Sequence, residues 1–420
     1  MRRSTERILT THAGSLIRPA PLLQFIGAKQ RRQPYDEQAY QDCLRNSVSE
    51  IVGRQAELGI DAPSDGEFGK SISWSQYALE RLSGFERRPV KPGAHPFARG
   101  ADRARFPEFY AELDAASGPP ATAGAAADEA VCVAPIKYTG QAEIQRDIAN
   151  FKAALKAAGA AEGFLPVAAP ASVIPDRRNE YYKSDADCLH AIADAMRVEY
   201  RAIIDAHGVG DGVEAVRVIA DAMRVEYRAI IDAGLLLQLD DARLAVTYDR
   251  MVPPAKFDDY RRWVALHVEA LNHALEGIPE DRVRYHVCWG SWPGPHTSDV
   301  ALRDIVDLIL GVRAGAYLIE AANPRHEHEW RVWEEVKLPR GKVLVPGVIS
   351  HATNIVEHPE LVAERIVRFA GVLGRENVIA GTDCGFAQGP FHRRVHPSIM
   401  WAKLEALVQG ARLASRQLWS

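Results

Sequence analysis

Eight short runs of apolar or β-branched residues recur along the chain, and a stretch patterned as a helix lies between most successive pairs. The runs are ILTTH (8–12), DAPSDG (61–66), FLPVAAP (164–170), LLLQLD (235–240), RVRYHVC (282–288), AYLIEA (316–321), VLVPGV (343–348) and NVIAGT (377–382). Amphipathic stretches at 40–58, 144–158, 258–275 and 359–373 alternate with them. Eight strand–helix units predict a single α/β domain over residues 1–420, folded as a (β/α)8 TIM-type barrel. A doubly wound parallel sheet would show the same pattern, because periodicity does not report closure. The 420 residues suffice to bury either core.

Two segments break the rhythm. Residues 84–130 end in ELDAASGPPATAGAAADEA, a tract of low complexity, and read as an insertion after the second strand. Further on, IADAMRVEYRAIIDA occurs twice, at 192–206 and at 219–233. Ile192, Met196, Tyr200 and Ile203 share one helical face, as do Ile219, Met223, Tyr227 and Ile230. Nothing on either flank repeats, so this is a local duplication of one helix before the fourth strand and not a solenoid. Only one copy can fill a given groove. The second leads through Ala233-Gly234 into LLLQLD, so it is expected to dock beneath that strand.

Composition narrows the functional classes. A net charge of −4 argues against nucleic-acid partners, which call for a basic face. No apolar run approaches the ~20 residues of a membrane span, and the N-terminus has no signal-peptide apolar region. Five cysteines, sparse and odd in number, read as reduced thiols in a cytoplasm. Three of them, Cys43, Cys132 and Cys188, fall on helical or core-like stretches and are expected to be inert.

In a barrel, functional residues gather at the C-terminal ends of the strands. Those ends carry His12 to Ser15, Ser64 to Glu67, Gln238 to Asp241, His286 to Cys288, Glu320, His351 and Asp383 to Gly385. His286 and Cys288 are two apart and share a strand face. An imidazole and a thiolate at one spot suit Zn²⁺, and Glu320 and Cys384 at neighbouring tips complete a four-ligand set. Two thiolates and a carboxylate make the metal a poor acid towards water but suit it to ionising a substrate thiol. The residue-level alternative is a core histidine beside a buried cysteine.

The motifs TTHAGSLIRP, SDGEFGK, LLLQLDD, YHVC, YLIEAANP and GTDCGF together resemble the catalytic C-terminal barrel of cobalamin-independent methionine synthase. The resemblance spans nearly the whole chain apart from the Ala/Gly-rich tract and the extra helix copy. It implies a zinc-dependent S-methyltransferase that moves a methyl group from 5-methyltetrahydrofolate, as its polyglutamate, to homocysteine. On it, His286, Cys288, Glu320 and Cys384 fall on zinc ligands, and Ser15 lies beside the glycine that helps hold the amino acid. Glu67 and Asp240 fall on the carboxylates that receive its ammonium. His351 falls on the acid/base histidine, with local spacing shifted by one residue.

Read from the residues alone, Glu67 and Asp240 are two carboxylates at a site mouth, or else a cap or a structural ion pair. His351 is equally compatible with a surface loop. His326 and His328, in RHEHEW, read as solvated charge. Trp74, Trp289 and Trp292 could stack on a pterin or form a pocket wall. The second barrel of full-length methionine synthases has no counterpart here. Single-barrel relatives include epoxyalkane:coenzyme M transferase, whose sulfonate thiol would call on cations such as Lys70, Arg393 and Arg394. A non-catalytic zinc-binding relative is the third reading. The partners implied are a small-molecule thiol and a methyl or alkyl donor, with neither nucleic acid nor membrane.

Overall fold

The computed structural model describes residues 1–74, 76–89, 100–117, 128–173, 178–183 and 227–420. Its strands, in chain order, begin with β1 (Phe85–Pro89), β2 (Asp128–Cys132), β3 (Phe164–Ala168), β4 (Arg178–Asn179) and β5 (Leu236–Asp241). They continue with β6 (Val283–Val287), β7 (Ala316–Ile319), β8 (Val343–Ile349) and β9 (Gly381–Thr382). Strands β3, β5, β6, β7, β8 and β9 pair in that order as one parallel sheet, curled into a half-barrel. Six of the eight runs thus form its strands.

The first two runs do not reach strand length, for reasons visible in their residues. The Thr10 N–H is taken by the Asp61 Oδ2 at 2.9 Å, and Pro63 has no N–H to offer a ladder. They still lie against the sheet's edges. Thr11 N donates to Ala380 O and Ala380 N to Leu9 O, both at 2.9 Å. Asp61 N donates to Thr10 O at 3.0 Å, and Phe164 N to Pro63 O at 3.0 Å.

Strand alternation sorts the side chains. Tyr285, Val287, Leu237, Leu239, Tyr317 and Ile319 join the main apolar core, whereas Ala316, Leu318, Val343 and Val345 form a separate inner cluster. The inner face of β6 therefore carries Arg284 and His286. Arg284 is buried, its guanidinium 3.8 Å from the Phe164 ring centroid and its Nη1 2.9 Å from Thr11 Oγ1. On the same parity Gln238 and Asp240 of β5 point inward, and Glu320 follows β7.

The four amphipathic stretches are helices: Glu37–Leu58, Gln141–Ala158, Phe257–Ala274 and Pro359–Leu373. The first begins at Asp36, whose side chain accepts from Ala39 N, and stops at Gly59 with φ 101°. It packs against Gln141–Ala158, and Pro359–Leu373 packs against the last helix, Pro397–Leu418. Among the described residues, no helix is long and apolar enough to cross a membrane.

Residues 85–89, 100–117 and 128–132 lie outside the parallel sheet. Strand β1 runs antiparallel to β2, which pairs in parallel with β4, and short helices Ala101–Arg105 and Pro107–Ser117 lie between β1 and β2. Of the low-complexity tract at 112–130, residues 118–127 lie outside the described residues. So do the first repeat copy, 192–206, and the second copy up to residue 226. From Tyr227 the second copy is helical, with Tyr227 and Ile230 fully buried in the main core, and it passes through Gly234, φ 82°, towards β5.

Candidate active site

Parity and register bring the strand-tip residues together. Asp240 and His286 are direct neighbours across β5 and β6, and Asp240 Oδ1 lies 3.0 Å from His286 Nδ1. The other ring nitrogen, Nε2, lies 3.3 Å from Asp383 O, on the segment that carries Cys384. Cys288 follows β6, Cys384 follows β9, and their sulfurs are 3.4 Å apart. Glu320 accepts from Trp289 N at 2.8 Å and from Asn323 Nδ2 at 2.6 Å.

Two thiols this close cannot both ionise without a compensating cation. The contact with Cys288, reinforced by His286, holds the Cys384 thiol well below its ordinary pKa. The same contact, with burial, pushes Cys288 well above its own. Burial, with the Cys384 charge added, raises Glu320 to about 7. Burial alone would lower His286, but Asp240 and Cys384 override it and hold the imidazole well above its usual value. His286, Cys288, Glu320 and Cys384 are thus one imidazole, two thiols and one carboxylate with linked charges, a donor set that suits Zn²⁺. Among the described residues, no three His, Cys, Asp or Glu side chains are drawn into metal-bonding geometry. Glu320 spends both oxygens on Trp289 and Asn323 instead.

Beside this centre lies a second charged group. Glu67 sits at φ 62°, a strained value for a non-glycine residue, in a turn held by Asp65 Oδ1 on Glu67 N at 2.9 Å. Its Oε2 meets Lys70 Nζ at 2.9 Å, so the ion-pair reading holds for that oxygen. Its other oxygen has no hydrogen-bond partner among the described residues, and neither has Asp240 Oδ2. Burial raises Glu67 to about 7, and the Asp240 charge contributes in the same direction. Gly14, φ 122°, closes this pocket: a Cβ there would stand 2.6 Å from Pro166 Cγ and 3.1 Å from Glu67 Oε1. Ser15 is buried and its Oγ accepts from Ala387 N at 3.3 Å.

His351 is buried, so the surface-loop reading of it is overturned. Its Nε2 is 2.8 Å from Ser291 Oγ, and its Nδ1 is buried without a partner. Burial lowers its pKa to about 4. His326 is also buried, against the expectation of solvated charge. It bridges Asp299 at 3.1 Å and Glu329 at 2.7 Å, which lift it to about 10 against the effect of burial. His328 is exposed as expected.

Trp289 is buried, its Nε1 donating to Val300 O, and Trp292 is half-buried with Nε1 3.2 Å from Tyr110 Oη. Cys43 is half-buried on the helix Glu37–Leu58, Cys132 is buried at the end of β2, and Cys188 lies outside the described residues. Arg393 is exposed, whereas Arg394 is half-buried and its charge acts on both site thiols. Sequence reasoning missed Ser291 and gave Asp383 no role. Asp383 Oδ1 accepts from Ala321 N and Ala322 N, both at 2.8 Å, tying the tip of β7 to the Cys384 segment. Its place directly before Cys384 was the available signal.

No family model matches the sequence. An uncharacterized protein of Bacillus subtilis is 24% identical over 411 residues, covering 94% of this chain and 92% of that protein. A methionine synthase of Thermococcus kodakarensis is 21% identical over 413 residues, covering 97% and 94%. A 2-hydroxypropyl-CoM lyase of Xanthobacter autotrophicus is 24% identical over 198 residues, 41% of this chain and 50% of that one. The structure of a B12-independent methionine synthase from Shewanella sp. W3-18-1 superposes with a TM-score of 0.66 at 18% identity, covering 98% and 99%, and so shares the fold. Along nearly its whole length in sequence, and in its fold, the chain is thus similar to methionine synthases of the cobalamin-independent kind.

Proposed function

We propose that the chain transfers a methyl group from 5-methyltetrahydrofolate, as the polyglutamate, to the sulfur of homocysteine, giving methionine. His286, Cys288, Glu320 and Cys384 would hold Zn²⁺, whose charge lets a thiol ionise near neutral pH. Glu67 Oε1 and Asp240 Oδ2 receive the acceptor's ammonium, and Ser15 borders its seat. The acceptor sulfur bonds to the methyl carbon as the carbon–nitrogen bond of the folate breaks. The proton lost by the thiol ends on the departing nitrogen, with His351 as its carrier. This reading takes the backbone bonds from the first two runs as closing an eight-membered barrel over one mouth.

The observation that supports it most is the pair of sulfurs 3.4 Å apart beside two carboxylates that each keep an oxygen free. Zinc X-ray absorption tests it: the sulfur count should rise by one when homocysteine is added. An unchanged count with saturating homocysteine refutes the reading. No described cysteine is in a disulfide, in keeping with a cytoplasmic setting.

A second reading, alkyl transfer from an epoxide to coenzyme M, draws on the partial likeness to the CoM lyase and on Arg394. The Arg394 Nε is held by Gln388 Oε1 at 3.1 Å, while its Nη atoms have no partner among the described residues and could receive a sulfonate. Parallel titration with homocysteine and 2-mercaptoethanesulfonate decides between the two.

A further inference from the structure

We infer that His12 and Gln55 are positioning residues: a neutral His12 with its hydrogen on Nε2 relays the Gln55 amide to Gly14 and so sets the Gly14–Ser15 turn against Glu67. The inference rests on the reading that Glu67 Oε1 and Ser15 border the seat of the amino-acid acceptor.

The hydrogen-bond directions are fixed from both ends, by groups that have no choice of role. Gln55 Nε2 lies 3.0 Å from Ile51 O and 2.9 Å from Ser64 O, so both of its hydrogens are spent on carbonyls. That orients the amide and leaves Oε1 as an acceptor, which takes Ser64 N at 3.0 Å. His12 Nε2 is 2.7 Å from the same oxygen and must therefore carry a hydrogen. At the other side of the ring, Gly14 N donates to Nδ1 at 3.1 Å, so Nδ1 must be bare. Two separate contacts thus name one tautomer, and a second ring proton would meet the Gly14 N–H head-on. His12, Gln55 and Ser64 are all buried, and burial moves the imidazole the same way, down to about 4, against the pull of Gln55.

The network ends on the pocket. Gly14 is held at its N–H by His12 and at its C=O by the Ser64 hydroxyl, 2.8 Å away, which in turn accepts from Gly66 N at 3.0 Å. Leu16 N donates to Gly66 O at 3.1 Å. The turn that carries Ser15 and the turn that carries Glu67 are therefore locked to one another, with Gln55 of the helix Glu37–Leu58 as the anchor. The approach is close: a Cβ on Gly14 would stand 3.1 Å from Glu67 Oε1, so drift of this turn moves the wall of the ammonium seat. Both residues act through Gly14.

Long-range ¹H–¹⁵N correlation on histidine-labelled protein tests the tautomer, with His12→Asn identifying the signal. The wild type should show a neutral ring with Nε2–H at neutral pH. Calorimetry on zinc-saturated protein tests the positioning. His12→Ala and Gln55→Ala should each weaken homocysteine roughly five- to tenfold, the effect of one lost neutral hydrogen bond, and leave amine-free 2-mercaptoethanol and zinc content unchanged. His12→Asn should restore homocysteine binding, because an asparagine Oδ1 accepts from the N–H two residues on in an Asx-turn. An Nδ1–H or doubly protonated ring in the wild type overturns the inference. So do equal losses for both thiols, undiminished homocysteine binding in His12→Ala, or an asparagine variant no better than the alanine one. A wild type that binds zinc but not homocysteine sinks the proposed function, while the spectrum still decides the tautomer. If the alanine variants fail to fold, the spectrum and homocysteine binding by His12→Asn decide the matter.

Discussion

Asp240→Asn separates the two tasks assigned to that carboxylate. One oxygen orients His286 at 3.0 Å and accepts Gln238 Nε2 at 2.9 Å; the other is open to an ammonium. Asparagine keeps the volume and an acceptor oxygen for His286 but removes the charge. A hydrogen bond to a charged group contributes about 1.5–3 kcal/mol, against about 1 kcal/mol for a neutral one. The imidazole should therefore lose about 1.4 kcal/mol of support, a tenfold weakening of zinc binding. Asp240→Ala, which also removes the acceptor, should weaken it roughly 100-fold. Competition with a chromophoric chelator measures zinc affinity, and calorimetry on zinc-saturated protein measures homocysteine. Asparagine should also weaken homocysteine roughly tenfold while sparing 2-mercaptoethanol, which has no amine. Wild-type zinc affinity in both variants would refute the role given to Asp240 in holding His286. Equal losses for both thiols would refute its role towards the ammonium.

Other substitutions probe the remaining groups. Cys384→Ser should lose both bound zinc and turnover; full activity would remove the proposed chemistry. Because burial holds Glu67 near 7, homocysteine affinity should fall as pH drops through about 7, since only the ionised carboxylate attracts an ammonium. Glu67→Gln should abolish that dependence in a calorimetric pH series. Gly14→Ala places a methyl group against Pro166 at a positive φ and should destabilise by more than about 1 kcal/mol in thermal melts. Arg394→Gln should weaken 2-mercaptoethanesulfonate and not 2-mercaptoethanol if the coenzyme M reading is correct, measured by titration calorimetry.

Much of the architecture was legible because strand parity is a local property. The spacing of His286 and Cys288, and the place of Glu320 past β7, follow from alternation alone. What alternation does not encode is competition for backbone groups. Asp61 takes the Thr10 N–H and Pro63 has none, so two runs that read as strands lie alongside the sheet without joining its ladder. Loops hid the rest. Ser291, 2.8 Å from His351 Nε2, comes four residues after β6 ends at Val287, where periodicity has ended. The burial of His326 depends on Asp299 and Glu329 arriving from either side, and RHEHEW by itself looks like surface. The open oxygens of Glu67 and Asp240 emerge only once Lys70 and His286 are seen to occupy the other two.

The helix Ala101–Arg105 has a consequence for grafting between relatives. Asp102 accepts from Thr297 N at 3.0 Å and from Ser298 Oγ at 3.3 Å, while Asp249 accepts from Asp102 N at 2.9 Å. Tyr110 meets Trp292 on the same loop. A chimera that imports a foreign 100–117 segment and keeps the native 292–299 loop would leave the Thr297 N–H and the Ser298 hydroxyl without their acceptor, on the loop that follows Cys288 and Ser291. The two segments should be exchanged as a matched set.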